Sequence, residues 1–382
     1  MEEWSIRSML NPVIARLLIY GVNPNDLEYV LAVVEKQNLV NVRLLEKTWI
    51  TEWEKKAARY QALGEEAVGK NRPESARNFF LFAAQCYYAI FLINQKNLGD
   101  KKRIYQQYAN FYQKSVSYYR FPVEVVEVPL GNGQALPAYF HHPYARANEV
   151  SPGAGTSPCV IVFSGLGSSK EEMRILAEPL VERGIGVLIP DMPGSGAALF
   201  ERDIKCRLEQ IQTAFTRLVD YLETRNDIRP EAIGAYGLCM GGGYAHRAAC
   251  ADSRYKFCVT LFPLFITRVE DGATPQWMKQ GEWYNYQTGD IPGSDFLAEM
   301  QSLEAGELTC PYLFIHGEHD NWMTIASAMQ LFDRAKGEKD KIIIAEEPVF
   351  SNQQIVTHTM PVGEQLHWVR HVAADWIKDH CR

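Results

Sequence analysis

From Pro158 onward the sequence alternates short apolar runs with longer amphipathic ones, and this rhythm constrains the fold more than any other feature. Cys159–Phe163, Gly184–Ile189, Ile233–Leu238, Phe257–Phe262, Tyr312–Ile315 and Ile342–Ile344 read as strands. Residues 171–183, 202–224, 241–249 and 372–379 between and after them have helical spacing. Strands that are apolar at nearly every position must be covered on both faces. Strand–helix repeats supply that cover through a largely parallel sheet, so the fold class is α/β.

The preceding residues follow another pattern. Leu27, Val30, Leu31 and Val34 recur at helical spacing, a long helical segment follows from 41 to 63, and Pro73 opens a third helix. A fourth, from about Lys102 to Tyr119, carries Tyr105, Tyr108, Phe111 and Tyr112, as expected for a helix packed on its neighbours. Pro122 marks the change to β periodicity, and Gly131-Asn132-Gly133 is a hairpin signal between two strands. Residues 1–120 are therefore expected to form a helical N-terminal domain and 121–382 an α/β domain. Residues 145–157 read as a loop. Residues 263–308, with Trp277, Trp283, Tyr284 and Tyr286, interrupt the rhythm and are expected to form a lid or pocket wall.

Composition narrows the function classes. In 382 residues, 47% are hydrophobic and 22% charged, enough for a sizeable core. The net charge of −7 argues against a nucleic-acid partner. No run of 18 apolar residues suggests a membrane span, and residues 79–94, which contain Gln85, read as a buried helix. The eight cysteines are scattered with no CxxC pair, which fits neither a disulfide framework nor a zinc site and leads to the expectation of a reducing, cytoplasmic setting. The aromatic and leucine residues of the helical domain would support a homodimer or equally cover the core.

The chemistry is carried by Gly237-Leu238-Cys239-Met240-Gly241, placed between a strand and a helix. This is a nucleophile elbow with cysteine in the serine slot. Small residues on either side permit the sharp turn, and the helix start presents amide N–H groups to the sulfur. Triad order in such a fold is nucleophile, acid, histidine. Asp320 in the loop His316-Gly317-Glu318-His319-Asp320 is the acid expected here, ahead of Glu318. His358, in a loop beyond the last strand, is preferred as base over His367, which falls in the closing helix. No metal pattern accompanies His316 and His319, and the reaction calls for no cofactor.

The oxyanion loop is Phe163-Ser164-Gly165-Leu166-Gly167-Ser168-Ser169-Lys170. Backbone N–H groups at Gly165 or Leu166, with that of Met240, are expected to receive the tetrahedral oxyanion. Ser168 and Ser169 are expected to cap a helix beginning near Glu171 and Glu172. Asp191, in the turn Pro190-Asp191-Met192-Pro193-Gly194-Ser195-Gly196, is expected to fix loops.

These residues resemble the α/β-hydrolase superfamily, and Gly165-Leu166-Gly167-Ser168-Ser169-Lys170-Glu171-Glu172 resembles the corresponding loop of its FrsA-like branch, which also carries a helical N-terminal region. The resemblance spans residues 20–380. It implies a hydrolase acting on a small-molecule acyl or aryl-ketone substrate, free or carrier-protein-linked, with cleavage of a carbon–carbon bond next to a ketone or of an acyl thioester in polyketide-like or aromatic molecules. One departure matters: that branch generally has serine where this chain has Cys239. A thioester intermediate can also be passed to an amine, alcohol or carbon nucleophile. An acyltransferase or cyclase, or a simple esterase or thioesterase, therefore stays open at the level of sequence.

Overall fold

The computed structural model describes residues 6–37, 42–93, 98–143, 156–265, 285–302, 306–320, 322–344 and 364–381. These divide into two compact units, one running through Arg120 and the other starting at Phe121.

The first unit is helical: α1 (Ile6–Ile19), α2 (Pro24–Lys36), α3 (Val42–Gly69), α4 (Pro73–Ile93) and α5 (Leu98–Val116). Asn23 caps α2 by accepting the Asn25 N–H, and Pro24 occupies the first turn, where a missing N–H costs nothing. Leu27, Val30, Leu31 and Val34 are buried, as their spacing requires. Trp49 and Trp53 of α3 are fully buried, and the Trp49 indole donates to the Ala89 carbonyl at 2.9 Å. Gly64 lets α3 approach α4 closely, since a Cβ there would lie 2.6 Å from the Phe80 ring. Tyr105, Tyr108, Phe111 and Tyr112 of α5 are buried as well. Each large apolar side chain so placed stabilises the unit by about 1.5–3 kcal/mol. The helix α4 is long and apolar enough to cross a membrane by length and composition, but 61% of its apolar window is buried within the structure, as in a core helix.

The second unit is built on one eight-stranded sheet. Its strands are β1 (Val123–Gly131), β2 (Gln134–His141), β3 (Ser157–Phe163), β4 (Gly186–Pro190), β5 (Ile228–Leu238), β6 (Cys258–Leu261), β7 (Tyr312–Gly317) and β8 (Lys339–Ile344). Their order is β1-β2-β4-β3-β5-β6-β7-β8, with β1–β2 and β2–β4 antiparallel and the rest parallel. The β1–β2 hairpin turns at Asn132 (φ 51°) and Gly133 (φ 74°), the two positive φ values of a type I′ turn. The helices of this unit are α6 (Arg174–Val181), α7 (Gly196–Phe200), α8 (Leu208–Glu223), α9 (Met240–Ala251), α10 (Asn285–Thr288), α11 (Gly293–Ser302), α12 (Ile325–Arg334) and α13 (Glu364–His380).

Two expected helix starts and one expected cap are corrected in detail. The helix expected from Glu171 begins only at Arg174, because Lys170 and Glu171 are drawn into a buried ion cluster. Its N-cap is Met173, with no side-chain cap hydrogen bond, so the cap expected from Ser168 and Ser169 is not on this helix. The Ser169 N–H donates to Glu172 Oε1 at 3.1 Å, but the buried Ser169 hydroxyl has no hydrogen-bond partner among the described residues. The helix expected over 202–224 starts at Leu208, since the preceding segment spends its backbone groups elsewhere: Gly194 N–H on Ile204 O and Cys206 N–H on Gln287 O. Of the expected lid over 263–308, residues 266–284 and 303–305 lie outside the described residues, among them Trp277, Trp283 and Tyr284. The described remainder holds α10 and α11.

Candidate active site

Strand β5 delivers Cys239 to the start of α9 through a turn that only glycines permit. A Cβ on Gly237 would lie 1.9 Å from the Gly241 carbonyl oxygen, and one on Gly241 would lie 2.1 Å from that of Phe163. Gly242 and Gly243 press α9 against Pro263 and Leu264, where a Cβ would come within 2.9 and 2.5 Å of backbone atoms. Three glycines in a row cost a helix roughly 1 kcal/mol each, a cost offset here by backbone-to-backbone packing. Cys239 itself has φ 57° and ψ −125°, a strained conformation of the kind that costs about 1–3 kcal/mol and persists only when its surroundings hold it. They do so through the backbone: Cys239 N–H donates to Leu261 O at 3.0 Å, and Cys239 O accepts from Leu264 N–H at 2.8 Å and Gly242 N–H at 2.9 Å. The residue is 8% exposed and caps α9, whose N-terminal dipole favours negative charge.

The loop after β3 reaches the same point. A Cβ on Gly165 would sit 3.2 Å from Cys239 Cβ and 3.4 Å from Leu238 O, so glycine there lets the loop backbone touch the nucleophile position. Gly165 and Met240 line one small cleft, together with Met192, Ser195, Tyr244 and Gln287. Leu166, next in the loop, is half-buried. Of the three residues expected to form the oxyanion hole, Gly165 packs on Cys239 and Met240 follows it in the chain, while Leu166 is next to Gly165.

The loop is fixed by a charge cluster that sequence reasoning reached only in part. Asp191, at the end of β4, accepts the Lys170 N–H at 2.8 Å on Oδ1; on Oδ2 it accepts the Ala197 N–H and the Lys170 ammonium, both at 2.7 Å. The ammonium also lies 3.0 Å from Glu171 Oε1, which accepts the Tyr139 hydroxyl at 3.0 Å. All four side chains are buried. Burial pushes the Asp191 carboxyl above its ordinary value; the Lys170 ammonium draws it back down and Glu171 raises it again. Gly196 makes the arrangement possible, since a Cβ there would overlap the Asp191 carboxylate at 2.2 Å. The signal in the sequence was a lysine followed by two glutamates between apolar elements.

Asp320 follows β7, two strands from β5 in a parallel sheet, so it emerges at the same edge as Cys239, about 10 Å along the sheet. It is 4% exposed. Its Oδ1 accepts the Trp322 and Met323 N–H groups at 2.8 and 2.9 Å, which fixes the carboxylate in its loop. His316 is fully buried, with Nε2 2.8 Å from Met323 O and 3.8 Å from Asp320 Oδ2, and stacks on Phe314. His358 lies outside the described residues. His367 is exposed on α13.

Of the remaining cysteines, Cys86, Cys159, Cys206, Cys258 and Cys381 are buried, and Cys250 and Cys310 are half-buried. Burial pushes the thiols of Cys86, Cys159 and Cys258 well up, those of Cys250 and Cys381 to about 12, and that of Cys310 to about 11. No group of three or more metal-binding side chains occurs among the described residues.

A parallel sheet with a strained residue between β5 and α9, facing a glycine loop from β3, defines an α/β-hydrolase. The family profile of the FrsA-like esterases matches residues 17–272, and that of the prolyl oligopeptidase family matches residues 172–376. The chain belongs to the FrsA-like esterases and, through residues 172–376, to the prolyl oligopeptidase family. It is 28% identical over 282 residues to a 2,6-dihydropseudooxynicotine hydrolase of Paenarthrobacter nicotinovorans, covering 72% of each chain. It is 27% identical over 254 residues to the α/β hydrolase xenA of Xenoacremonium sinensis, covering 60% of this chain and 56% of that one. It spans about half the length of several further fungal hydrolases. The crystal structure of the 2,6-dihydroxy-pseudo-oxynicotine hydrolase shares the fold, with a TM-score of 0.74 at 21% identity over 96% of this chain and 95% of that one.

Proposed function

We propose that this chain is an acyl hydrolase with Cys239 as nucleophile, cleaving a carbon–carbon bond next to a ketone, or an acyl thioester, in a small polyketide-like or aromatic substrate. The observation that carries the reading is the strained backbone of Cys239 at the head of α9, with Gly165 packed against its Cβ. Strain held in place by surrounding hydrogen bonds is characteristic of reacting positions. The family and a first relative named as a hydrolase of 2,6-dihydropseudooxynicotine support hydrolysis of a small organic molecule.

In this reading His358 takes the thiol proton and Asp320 orients the imidazole. The Asp320 carboxylate suits that task, since two backbone N–H groups already hold one oxygen. The sulfur attacks the carbonyl, and the oxyanion is received by N–H groups of Met240 and of Leu166 or Gly165. The carbon–carbon or carbon–sulfur bond then breaks. Its electron pair leaves with the departing fragment, which takes the proton from His358. Water, deprotonated by His358, releases the acyl group from the thioester as a carboxylic acid.

The test is product analysis with aryl 1,3-diketones and acyl thioesters, in buffers with and without a primary amine. The expected products are a carboxylic acid plus a ketone or thiol, with kcat falling at least about a thousandfold in Cys239→Ala. Amide formation in the amine buffer, faster than acid release, would make the protein an acyltransferase instead. Unchanged turnover in Cys239→Ala would overturn the nucleophile assignment.

A further inference from the structure

The cleft beside Cys239 contains a buried polar side chain whose hydrogen bonding is half complete. Gln287 lies on α10 and is 2% exposed. Its Nε2 donates to the Tyr286 hydroxyl at 3.0 Å, and that hydroxyl would be 3.5 Å from a Cβ on Gly167 of the oxyanion loop. Its Oε1 is buried with no hydrogen-bond partner among the described residues. Gln287 lines the same cleft as Gly165 and Met240.

The position is a built one. The Gln287 carbonyl accepts the Cys206 N–H at 2.9 Å. Asn285 Oδ1 accepts the Gly293 N–H at 2.7 Å, and the Thr288 hydroxyl donates to Ile291 O at 2.6 Å. Arg207 donates to the Thr288 carbonyl and pairs with Asp290. This short element is thus tied to residues 206–207 at one end and to the start of α11 at the other, which holds Gln287 in the cleft wall. A buried acceptor without a donor destabilises the folded chain unless something supplies the donor, and such atoms in native structures call for an explanation.

We propose that Gln287 is a specificity-determining residue: its Oε1 accepts a hydrogen bond from a hydroxyl or N–H group carried by the substrate near the carbonyl that Cys239 attacks. The ligand class is an acyl donor or ketone bearing such a donor on the side of the cleft formed by the oxyanion loop. The placement near the attacked carbonyl rests on Cys239 being the nucleophile; the recognition of a donor group does not. A site that buries an acceptor for a substrate donor discriminates strongly against the analogue lacking it, because the acceptor is then stranded.

The test measures binding first, so that it reads Gln287 whether or not Cys239 reacts. Aryl methyl ketones hydroxylated at the ortho, meta or para position, and the unhydroxylated parent, are titrated calorimetrically into wild type, Gln287→Leu and Gln287→Met. The expected result is that at least one hydroxylated ketone binds wild type about tenfold or more tightly than the parent. Both variants should lose that preference while binding the parent within about twofold of wild type. Each variant removes a stranded acceptor and, with it, the hydrogen bond to Tyr286, so the two effects oppose and its thermal midpoint should change little. No preference in wild type, a preference for the methoxy ketones over the hydroxylated ones, or an equal loss for all ketones in both variants would overturn the proposal. Acylation of Cys239 by the matching aryl thioesters, followed separately by intact mass, reports on the nucleophile alone. Its failure would sink the functional reading and leave the binding result standing.

Discussion

Two segments meet at the candidate site, and they are held there by opposite means. The elbow at Cys239 is secured through its backbone: glycines that leave no room for a side chain, and hydrogen bonds between main-chain groups. The oxyanion loop is secured by side chains, through a buried cluster of Lys170, Asp191, Glu171 and Tyr139. The first arrangement is sensitive to volume and indifferent to charge. The second depends on charge as well as on the room that Gly196 leaves for the Asp191 carboxylate. The difference teaches where each element of the site is vulnerable, and it separates the effects expected of substitutions only a few ångströms apart.

The largest effect is expected at the elbow. Gly237→Ala places a methyl group 1.9 Å from a backbone oxygen with no flexible side chain to yield. We expect a loss of more than about 4 kcal/mol of stability, or no folded protein at all, read by denaturant unfolding and solubility. A Gly237→Ala protein with a near-normal midpoint would show that the elbow is not clamped as described.

Lys170→Met comes next. It leaves two carboxylates buried without their cation, which should cost about 3–5 kcal/mol. Adding Asp191→Asn to Lys170→Met should recover part of that loss, whereas adding any neutral change at the elbow should not. Unfolding midpoints of the single and double variants give the coupling directly. Additive losses would break the contrast between a charge-held loop and a backbone-held turn.

The smallest effect is a matter of pH, and it is carried by residues outside the two segments. Burial pulls the imidazoles of His141, at the end of β2, and His246, on α9, from 6.5 down to about 4. The unfolded chain takes up a proton below about 6.5 that the folded chain refuses until about 4. Stability is therefore lost as pH falls through this window, by about 1.4 kcal/mol per pH unit for each histidine. Replacing either by phenylalanine should flatten the dependence by up to that slope between pH 6.5 and 4. An unchanged slope in both variants would mean that the histidines are protonated in the folded state.

The parallel sheet was legible in the sequence because strands apolar at every position, such as Val160–Phe163 and Val187–Ile189, have few other uses. The elbow was legible because glycine at 237 and 241 answers a steric need that no other residue meets. The ion cluster was legible only at Asp191, whose turn marked it as a residue that fixes loops. Lys170 and Glu171 sit in a stretch with helical spacing, and only the fold brings Asp191 and Tyr139 to them, which also delays the start of α6 to Arg174. Gln287 was hidden for a related reason: one glutamine in a long connection carries no pattern, and its significance is the burial of an atom with no partner among the described residues. The expected base, His358, lies outside the described residues and stands as a proposal with the rest of the triad.

The most direct measurement is the intact mass of wild-type protein and of Cys239→Ala after brief exposure to an activated acyl thioester and to an aryl 1,3-diketone. We expect wild type to gain the mass of one acyl group, located on Cys239 by peptide mapping and lost in water as the free acid appears, while Cys239→Ala gains none. An adduct of equal yield on Cys239→Ala, or acid release at the wild-type rate by that variant, would contradict a cysteine nucleophile.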